Sequence, residues 1–333
     1  MTELIHFILN CLSTYYLIEA TALAQLPLGA DVNASIYKAQ ASDQKTYFVK
    51  LKQGHFHDAN IAILELLQMA GIQQLIPPIK TIEGKQIQQV GDFTLIVYPF
   101  VEGQDGFSCS LTDEQWVALG RVLRQVHEVD VPAPLKTQIR REDFSPKWRD
   151  IVRSLYAHIE AISTDDEIAL NLWKFFQKNE SMIQQLVDRS EELSQKACSH
   201  PLKFVLCHSD IHGGNVLVNG NEALYIVDWD DPILAPKERD LMFIGGGVGN
   251  VWNKPHEERL FYQGYGQVDV DWTLLAYYRY ERIVEDIAVY GRELLLKPTE
   301  GKNRLEMYKQ FMNMFKPQGV VDIAFATDKH VVD

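Results

Sequence analysis

The sequence predicts an α+β protein with two lobes, a small strand-rich lobe followed by a larger, mostly helical lobe. Strand-like apolar runs recur within residues 36–98, whereas the chain from Thr112 onward shows helical periodicity with one embedded hairpin. A proline and the polar segment VEGQDG separate the two patterns. We therefore expect lobes at residues 1–101 and 102–333, with a hinge at about residues 98–106.

The small lobe is predicted to open with an amphipathic helix, because apolar residues recur at helical spacing between Leu4 and Leu12. Two strands joined by the polar turn ASDQK come next, followed by a helix that Gly71 closes and by a further strand. The predicted strands cover residues 36–39, 46–51 and 93–98, and the predicted helix covers residues 58–70.

The large lobe is predicted to begin with a helix in which Thr112 and Gln115 form an N-terminal capping box. Two short strands later in the lobe form a hairpin through the turn Asn219-Gly220-Asn221. The further predicted helices cover residues 165–196, 271–296 and 302–314, and the predicted strands cover residues 203–207, 216–218 and 223–227.

Composition excludes several classes of protein. The chain has 333 residues, of which 46% are hydrophobic and 23% are charged, a profile typical of a globular protein with a sizeable core. Its four cysteines form no CxxC pair, which argues against a zinc site or a disulfide framework. The sequence shows neither a secretory signal nor a membrane span, and we expect a cytoplasmic protein without a membrane partner.

The net charge of −13 argues against a nucleic-acid partner, because nucleic-acid binding depends on lysine and arginine neutralising phosphates. Most of the acidity lies in residues 101–333. An acidic lobe can attract a cationic substrate, although a solvated surface accounts for most of these charges.

The segment LCHSDIHGGNVLVNGNEALYIVDWDDP carries the chemistry. His208 and Asp210 are followed by Asn215 and, thirteen residues later, by Asp228 at the end of a predicted strand. A carboxylate on a tight loop can accept or orient the proton of an attacking hydroxyl, while an amide oxygen and a second carboxylate hold Mg²⁺ against nucleotide phosphates. The spacing therefore points to phosphoryl transfer.

The stretches HSDIHGGNVL and IVDWDDPILAPKERDLMF resemble the aminoglycoside phosphotransferase family, a branch of the protein-kinase-like fold. Ser209 stands where glycine is usual in that family, directly before Asp210. The resemblance covers essentially the whole chain. Residues 237–257 and 277–291 make it closest to the spectinomycin phosphotransferases within the family.

The resemblance implies roles for the residues of the motif. Asp210 matches the catalytic base, and His208 matches a residue that organises the loop. Asn215 and Asp228 match the magnesium ligands, and Asp240 matches the structural aspartate that usually follows them.

The resemblance also implies a nucleotide site in the small lobe, residues 1–101. Lys50 matches the strand lysine that contacts the α- and β-phosphates, with Lys52 as a weaker rival and with Glu65 or Asp58 as the carboxylate partner. The segment LGADVNAS, residues 28–35, occupies the place of the nucleotide-covering loop. The groups expected to meet the nucleotide are Ser35 or Asn33 for a phosphate, and the Pro99 carbonyl with the Val101 amide for a purine edge.

A cationic aminocyclitol requires carboxylates and aromatic faces in its pocket. Each candidate also has a structural explanation, as part of a solvated face, in a salt bridge to Arg279 or Arg282, or as core. The candidates in the large lobe are Asp230, Trp252, Glu281 and Glu285, with Asp231, Asn253, His256 and Asp286 as further neighbours.

Other notable residues are expected to serve packing. Trp229 and the tyrosines 277, 278 and 280 are assigned to core or lobe packing, and the glycines 245–247 to a closely packed or flexible turn. His212, Cys207 and Cys109 lack metal-ligand partners at useful spacing.

These observations predict an ATP- or GTP-dependent, magnesium-requiring O-phosphotransferase. Its expected substrate is a small cationic antibiotic, spectinomycin, and the protein is expected to act as a monomer. The alternatives are a kinase of another small alcohol, choline-like or sugar-like, and a pseudokinase that only binds nucleotide. The hydroxyl that is phosphorylated, the preferred nucleotide and the physiological role stay open.

Overall fold

The computed structural model describes residues 2–26, 34–54, 58–158, 166–220, 223–296 and 303–332. The chain divides into two compact units, each built from three segments. The first unit comprises Met1–Gln104, Val131–Ile139 and Leu217–Asp230, and the second comprises Asp105–Asp130, Arg140–Val216 and Asp231–Asp333.

The first break between units, after Gln104, falls within the hinge predicted at residues 98–106. Two later segments, Val131–Ile139 and Leu217–Asp230, also belong to the first unit. The prediction of a single boundary at residue 101 does not include them. The α+β class is confirmed, because the first unit carries an antiparallel sheet and the second is mostly helical. The assignment of nucleotide binding to residues 1–101 and of catalysis to residues 102–333 stays a prediction.

The first unit is built on a sheet with the strand order β1-β2-β3-β5-β4, in which every neighbouring pair is antiparallel among the described residues. The strands of this sheet are β1 (Ala20–Leu26), β2 (Ala34–Ala41), β3 (Thr46–Gln53), β4 (Gln88–Val90) and β5 (Phe93–Pro99). A second sheet has the order β10-β9-β6, with β6 (Gln104–Asp105), β9 (Val216–Asn219) and β10 (Ala223–Ile226).

The predicted strands around residues 36–39, 46–51 and 93–98 are confirmed, and the turn between the first two closes through a hydrogen bond from Ala41 N to Lys45 O. The structure adds β1, which the sequence analysis missed. Its apolar and polar residues do not alternate strictly, and three of its seven residues are half-buried while the others are exposed. The segment therefore lacks the alternating pattern by which a strand is predicted from sequence.

Helix α1 (Thr2–Tyr16) confirms the predicted opening helix and packs on the large sheet. Ile8 and Leu12 are fully buried against Val49, Leu95 and Val97 of the two central strands. Burial of each such side chain contributes roughly 1.5–3 kcal/mol, so this layer fixes the sheet on which Lys50 lies. Helix α2 (Asp58–Met69) follows β3, as predicted.

The second unit holds most of the helices. They are α3 (Asp113–Glu128), α5 (Lys147–His158), α6 (Glu167–Lys178), α7 (Glu180–Cys198), α8 (Glu238–Leu241), α9 (Pro255–Tyr265), α10 (Trp272–Gly291), α11 (Arg304–Met314) and α12 (Val320–Asp328). The short helix α4 (Ala133–Lys136) belongs to the first unit. The predicted long helix over residues 165–196 is interrupted at Asn179, which ends α6 and precedes α7.

One local prediction in the second unit is confirmed at atomic detail. Thr112 Oγ1 accepts a hydrogen bond from Gln115 N, and the Gln115 side chain accepts one from Thr112 N, which completes the capping box of α3. Helices α3 and α9 cross closely because two glycines lie at the crossing. A Cβ atom at Gly264 would lie 1.8 Å from Val117 O, and one at Gly120 would lie 2.0 Å from Phe261 O.

Helix α10 runs through the core of the second unit. Tyr277, Tyr278 and Tyr280 are each at most 2% exposed, which confirms the predicted packing role of this tyrosine group. A small sheet has the order β7-β11-β8, with β7 (Arg140–Arg141), β8 (Val205–Cys207) and β11 (Ile233–Ala235). Strand β8 ends directly before His208, the first residue of the sequence motif. In the part of the chain that the structure describes, no helix combines the length and apolar character needed to cross a membrane.

Candidate active site

The motif residues 208–215 form a tight loop between β8 and β9. The loop passes through left-handed backbone at Ser209, with φ of 74°, and ends in a 3₁₀ turn over Gly213–Asn215. Serine occupies a conformation that favours glycine, and its hydroxyl donates to the carbonyl of Asp231 at 2.9 Å, which holds the strained residue in place. The departure from the family pattern at this position is therefore accommodated locally.

Asp240 anchors the beginning of the loop. Its fully buried carboxylate accepts hydrogen bonds from His208 N at 2.9 Å and from Ser209 N at 2.7 Å. His127 Nε2 lies 3.0 Å from the same carboxylate, and His127 Nδ1 lies 2.7 Å from the hydroxyl of Tyr265. Burial alone would raise the pKa of Asp240, but these hydrogen bonds and the nearby histidines outweigh it and lower the pKa.

The same contacts account for a buried group of His127, Cys207 and Asp240 whose ligand atoms lie within 4.8 Å of one another. Both nitrogens of His127 already have hydrogen-bond partners, and the Cys207 thiol faces the carbonyls of Ala235 and Pro236. We therefore assign the group to anchoring the loop.

The carboxylate of Asp210, the predicted base, is contacted on both oxygens. Arg282 Nη1 donates to Oδ1 at 2.6 Å, and His212 Nε2 lies 3.3 Å from Oδ2. Burial raises the pKa of Asp210, but Arg282 and His212 overcome this effect and hold the pKa well below its usual range. Asp210 is therefore ionised, with 43% of its side chain exposed to accept a further hydrogen bond.

Asn215 is buried and turns its amide nitrogen back into the loop, where Nδ2 donates to Asp210 O at 2.8 Å. The amide oxygen is therefore the atom of this side chain that suits a cation. A neutral oxygen beside an aspartate fits the oxygen ligands that Mg²⁺ prefers. His208 lies in the same loop and accepts a hydrogen bond from Asp210 N at 3.3 Å through Nδ1, in keeping with its predicted organising role.

Within the first unit, Lys50 lies between two carboxylates. Its Nζ is 2.9 Å from Asp228 Oδ1 and 2.7 Å from Asp230 Oδ2, and Lys50 is 8% exposed. Burial lowers the pKa of Lys50, but the two carboxylates more than compensate and raise it. Lys52 shares Asp230 at 3.2 Å and is more exposed, so the structure places Lys50 deeper in the charged cluster than its rival.

The prediction that Glu65 of α2 is the carboxylate partner of Lys50 is wrong. The Glu65 carboxylate lies 3.8 Å from Lys80, whereas Lys50 pairs with Asp228 and Asp230. The side chain of Asp58, the other candidate, lies outside the described residues. Among the described side chains of α2, Asn60 reaches the cluster, where its Nδ2 donates to the carbonyl of Asp230.

Most of the predicted nucleotide-covering loop, including Asn33, lies outside the described residues. Ser35 lies in β2 opposite Leu51 and beside the register position of Lys50. Pro99 ends β5 and Val101 follows it, while Phe100 N between them donates to Thr46 O. The nucleotide contacts of Ser35, Pro99 and Val101 stay predictions.

The structure corrects three of the four main substrate candidates. Glu281 is 6% exposed and pairs with Arg149 at 2.6 Å, so it belongs to the core. The carboxylate of Asp230 is engaged by the two lysines of the first unit. Trp252 is 5% exposed and packs edge-on against Trp116, with ring centroids 5.1 Å apart. Glu285 is half-buried and stays a candidate.

The neighbours of these candidates also have local explanations. His256 lies 3.0 Å from Asp113 and contacts Arg259 on the exposed side of α9. Of the two alternatives predicted for the glycine turn at residues 245–247, close packing fits Gly246, because a Cβ atom there would lie 2.1 Å from Met242 O.

Sequence reasoning missed two groups that contact Asp210. The sequence indicates Arg282 only as a salt-bridge partner of the acidic substrate candidates, and it assigns His212 no role. His212 could have been found from its position two residues after the base, whereas nothing in local spacing indicates Arg282.

The profile of the phosphotransferase enzyme family matches residues 25–274. The chain belongs to this family, and its fold is the kinase-like α+β fold. It is similar to the crystal structure of spectinomycin phosphotransferase, APH(9)-Ia, in complex with ADP and spectinomycin. The two are 51% identical, the match covers 97% of this chain and 98% of that chain, and the TM-score is 0.92.

Two further comparisons agree with this family. The AMP-bound complex of spectinomycin phosphotransferase, APH(9)-Ia, is 50% identical over the same shares of both chains, with a TM-score of 0.88. Protein StrN of Streptomyces griseus is 25% identical over 191 residues, and the match spans 56% of this chain and 59% of the StrN length.

Proposed function

We propose that this protein is a nucleotide-dependent O-phosphotransferase that phosphorylates spectinomycin. The observation that carries the proposal is the 51% identity, over 97% of the chain, to a spectinomycin phosphotransferase whose structure contains ADP and spectinomycin. In the reaction, a hydroxyl oxygen of the drug attacks the γ-phosphorus of ATP or GTP. The bond from that phosphorus to the β,γ-bridging oxygen breaks, and ADP or GDP leaves.

Asp210 is proposed as the residue that receives or orients the hydroxyl proton. Its low pKa makes it a weak base, which suits a loose transition state in which positioning and charge neutralisation lower the barrier. The exposed part of its carboxylate supports this role, because a hydroxyl needs an acceptor within about 2.6–3.2 Å.

Lys50, Asn215 and Asp228 are proposed to handle the triphosphate. Lys50 keeps its charge while buried, which suits a point contact to phosphate oxygens. Asn215 and Asp228 are proposed as ligands of magnesium, which when bound neutralises charge on the phosphates. Ser35, Pro99 and Val101 are proposed to contact the phosphates and the purine edge.

The proposed dependence on ATP or GTP and the four free cysteines favour action in the cytoplasm. The substrate is proposed to be a small cationic antibiotic, and the monomeric state stays a prediction.

The direct test is incubation of the purified protein with Mg-ATP and spectinomycin, followed by mass spectrometry. We expect a product heavier by one phosphoryl group, with ADP released in equal amount. Asp210→Asn is expected to abolish most turnover while nucleotide binding persists. If choline is phosphorylated and spectinomycin is not, the substrate assignment is wrong. If Asp210→Asn turns over normally, the mechanism is wrong.

A further inference from the structure

The carboxylate of Asp210 is held by two groups that the proposed chemistry does not use. Arg282, on α10, donates to Oδ1 at 2.6 Å, and His212 lies 3.3 Å from Oδ2. One hydrogen bond would leave the carboxylate able to turn about its last side-chain bond, which has a broad torsional preference. Contacts to both oxygens define the plane of the group.

His212 is itself fixed in orientation. Its Nδ1 accepts a hydrogen bond from Gly214 N at 3.0 Å, so the proton of the neutral ring is on Nε2, the atom nearest Asp210. Phe107 stacks on the ring with centroids 5.1 Å apart and planes 17° from parallel. This stacking requires glycine at position 214, because a Cβ atom there would lie 2.8 Å from Phe107 Cε2.

Arg282 is fixed on its other side. Its Nε lies 3.3 Å from Asp286 Oδ1, one helical turn further along α10. Its guanidinium carbon lies 5.8 Å from the ring centre of Phe243, and the same ring packs edge-on against His212 at 6.2 Å. Phe243 is 1% exposed, so one buried ring supports both groups that contact Asp210.

We propose that Arg282 and His212 are positioning residues that set the plane of the Asp210 carboxylate, so that a lone pair not used by either faces the acceptor hydroxyl. This inference rests on the proposed function. Asn215 Nδ2 also lies 3.5 Å from Oδ2. Each carboxylate oxygen has two lone pairs, so Oδ1, which Arg282 alone contacts among these three groups, keeps acceptor capacity. A displacement of about 1 Å in a reacting group costs on the order of 10²-fold in rate, so the orientation matters for kcat.

The first test compares Arg282→Met, Arg282→Lys and the control Arg153→Met in the spectinomycin assay. Arg282→Met is expected to lower kcat by about 10²-fold, with both KM values within about threefold of wild type. Arg282→Lys keeps one charged donor and should recover about tenfold of the loss. Arg153 lies on α5 and pairs with Asp188 and Glu191 of α7 rather than with Asp210, so its replacement should leave kcat unchanged.

The second test uses His212, which serves if Arg282→Met does not fold. The glutamine of His212→Gln carries an amide donor that can reach Asp210. The asparagine of His212→Asn can accept from Gly214 N, but its amide donor is one methylene shorter and does not extend as far as Nε2 of histidine. We expect kcat to fall by about tenfold in the asparagine variant and much less in the glutamine variant.

Wild-type kcat in both Arg282→Met and His212→Asn overturns the inference, as does equal loss in His212→Gln and His212→Asn. Asp210→Asn in the same assay separates this failure from failure of the proposed function. If Asp210→Asn is inactive while the other variants match wild type, only the positioning role is refuted.

Discussion

Glu281 offers a decisive test of where the substrate site ends and the core begins. Its carboxylate accepts hydrogen bonds from Arg149 Nη1 at 2.6 Å and from Ser190 Oγ at 2.5 Å. The side chains of Glu281 and Arg149 are 8% and 2% exposed. Removing one member of such a pair leaves a buried charge without its counter-ion, which is more costly than losing an exposed salt bridge.

Glu281→Ala is therefore expected to lower the free energy of unfolding by roughly 3–5 kcal/mol. Glu281→Gln keeps the shape and part of the hydrogen bonding and should cost roughly 1.5–3 kcal/mol. Glu285→Gln, one turn further along α10, is the matched control and should change stability by no more than about 0.5 kcal/mol. Urea denaturation followed by tryptophan fluorescence measures all three.

The kinetic outcome distinguishes the two roles. A core role predicts that the folded Glu281→Gln protein binds spectinomycin with a KM close to that of the wild type. A wild-type unfolding curve together with a tenfold higher KM would show that Glu281 contacts the substrate, and would refute the argument from burial.

Three further perturbations are informative. Lys50→Met removes the cation between two carboxylates, and steady-state kinetics should show turnover reduced by about 10²-fold; unchanged kinetics would exclude a phosphate contact. Gly214→Ala places a methyl group 2.8 Å from Phe107 Cε2, so turnover should fall. Adding Phe107→Leu should restore part of the turnover, and the absence of any restoration would show that the loss does not come from a clash with Phe107. Burial, reinforced by Glu285, raises the pKa of Asp286 from 3.8 to about 6, so the native state holds more protons than the unfolded chain between these values. As pH rises from about 4 to about 6, the melting temperature of the wild type should therefore fall relative to that of Asp286→Asn. If the melting temperatures of the two proteins change with pH in parallel, the raised pKa of Asp286 is wrong.

Local features of this protein could be predicted from its sequence because they depend on neighbours along the chain. The capping box of α3 needs only Thr112 and Gln115 at the correct spacing, and the tight loop follows from the motif at residues 208–215. The buried central strands β3 and β5 follow from their apolar runs. In each case the determining residues lie within about ten positions of one another.

Pairing between buried charges could not be predicted in this way. The four-residue spacing of Glu281 and Glu285 places them on one face of a helix, but it does not indicate that Glu281 meets an arginine 132 residues earlier in the chain. Arg282 likewise reaches a carboxylate 72 residues away. Such partners depend on how helices pack, and helix packing is not encoded in the spacing within one helix.

Lys50 shows the same limit from another direction. A partner on the helix after its strand was a reasonable expectation, but the contacts come from Asp228 and Asp230, about 180 residues later. From sequence, Asp230 is a substrate candidate because it follows the predicted metal ligand Asp228 directly. Proximity to a motif does not reveal which side of the backbone a carboxylate faces.

The buried carboxylate of Asp240 has a consequence for how this enzyme can diversify. Through His127 and Tyr265 it joins the loop to α3 and α9, so a substitution at this junction would disturb catalysis and the helix pair together. Substitutions at Asp240, His127 or Tyr265 are therefore expected to lower turnover and stability together. Changes that alter the substrate pocket without loss of stability are expected at positions that do not contact Asp240, His127 or Tyr265.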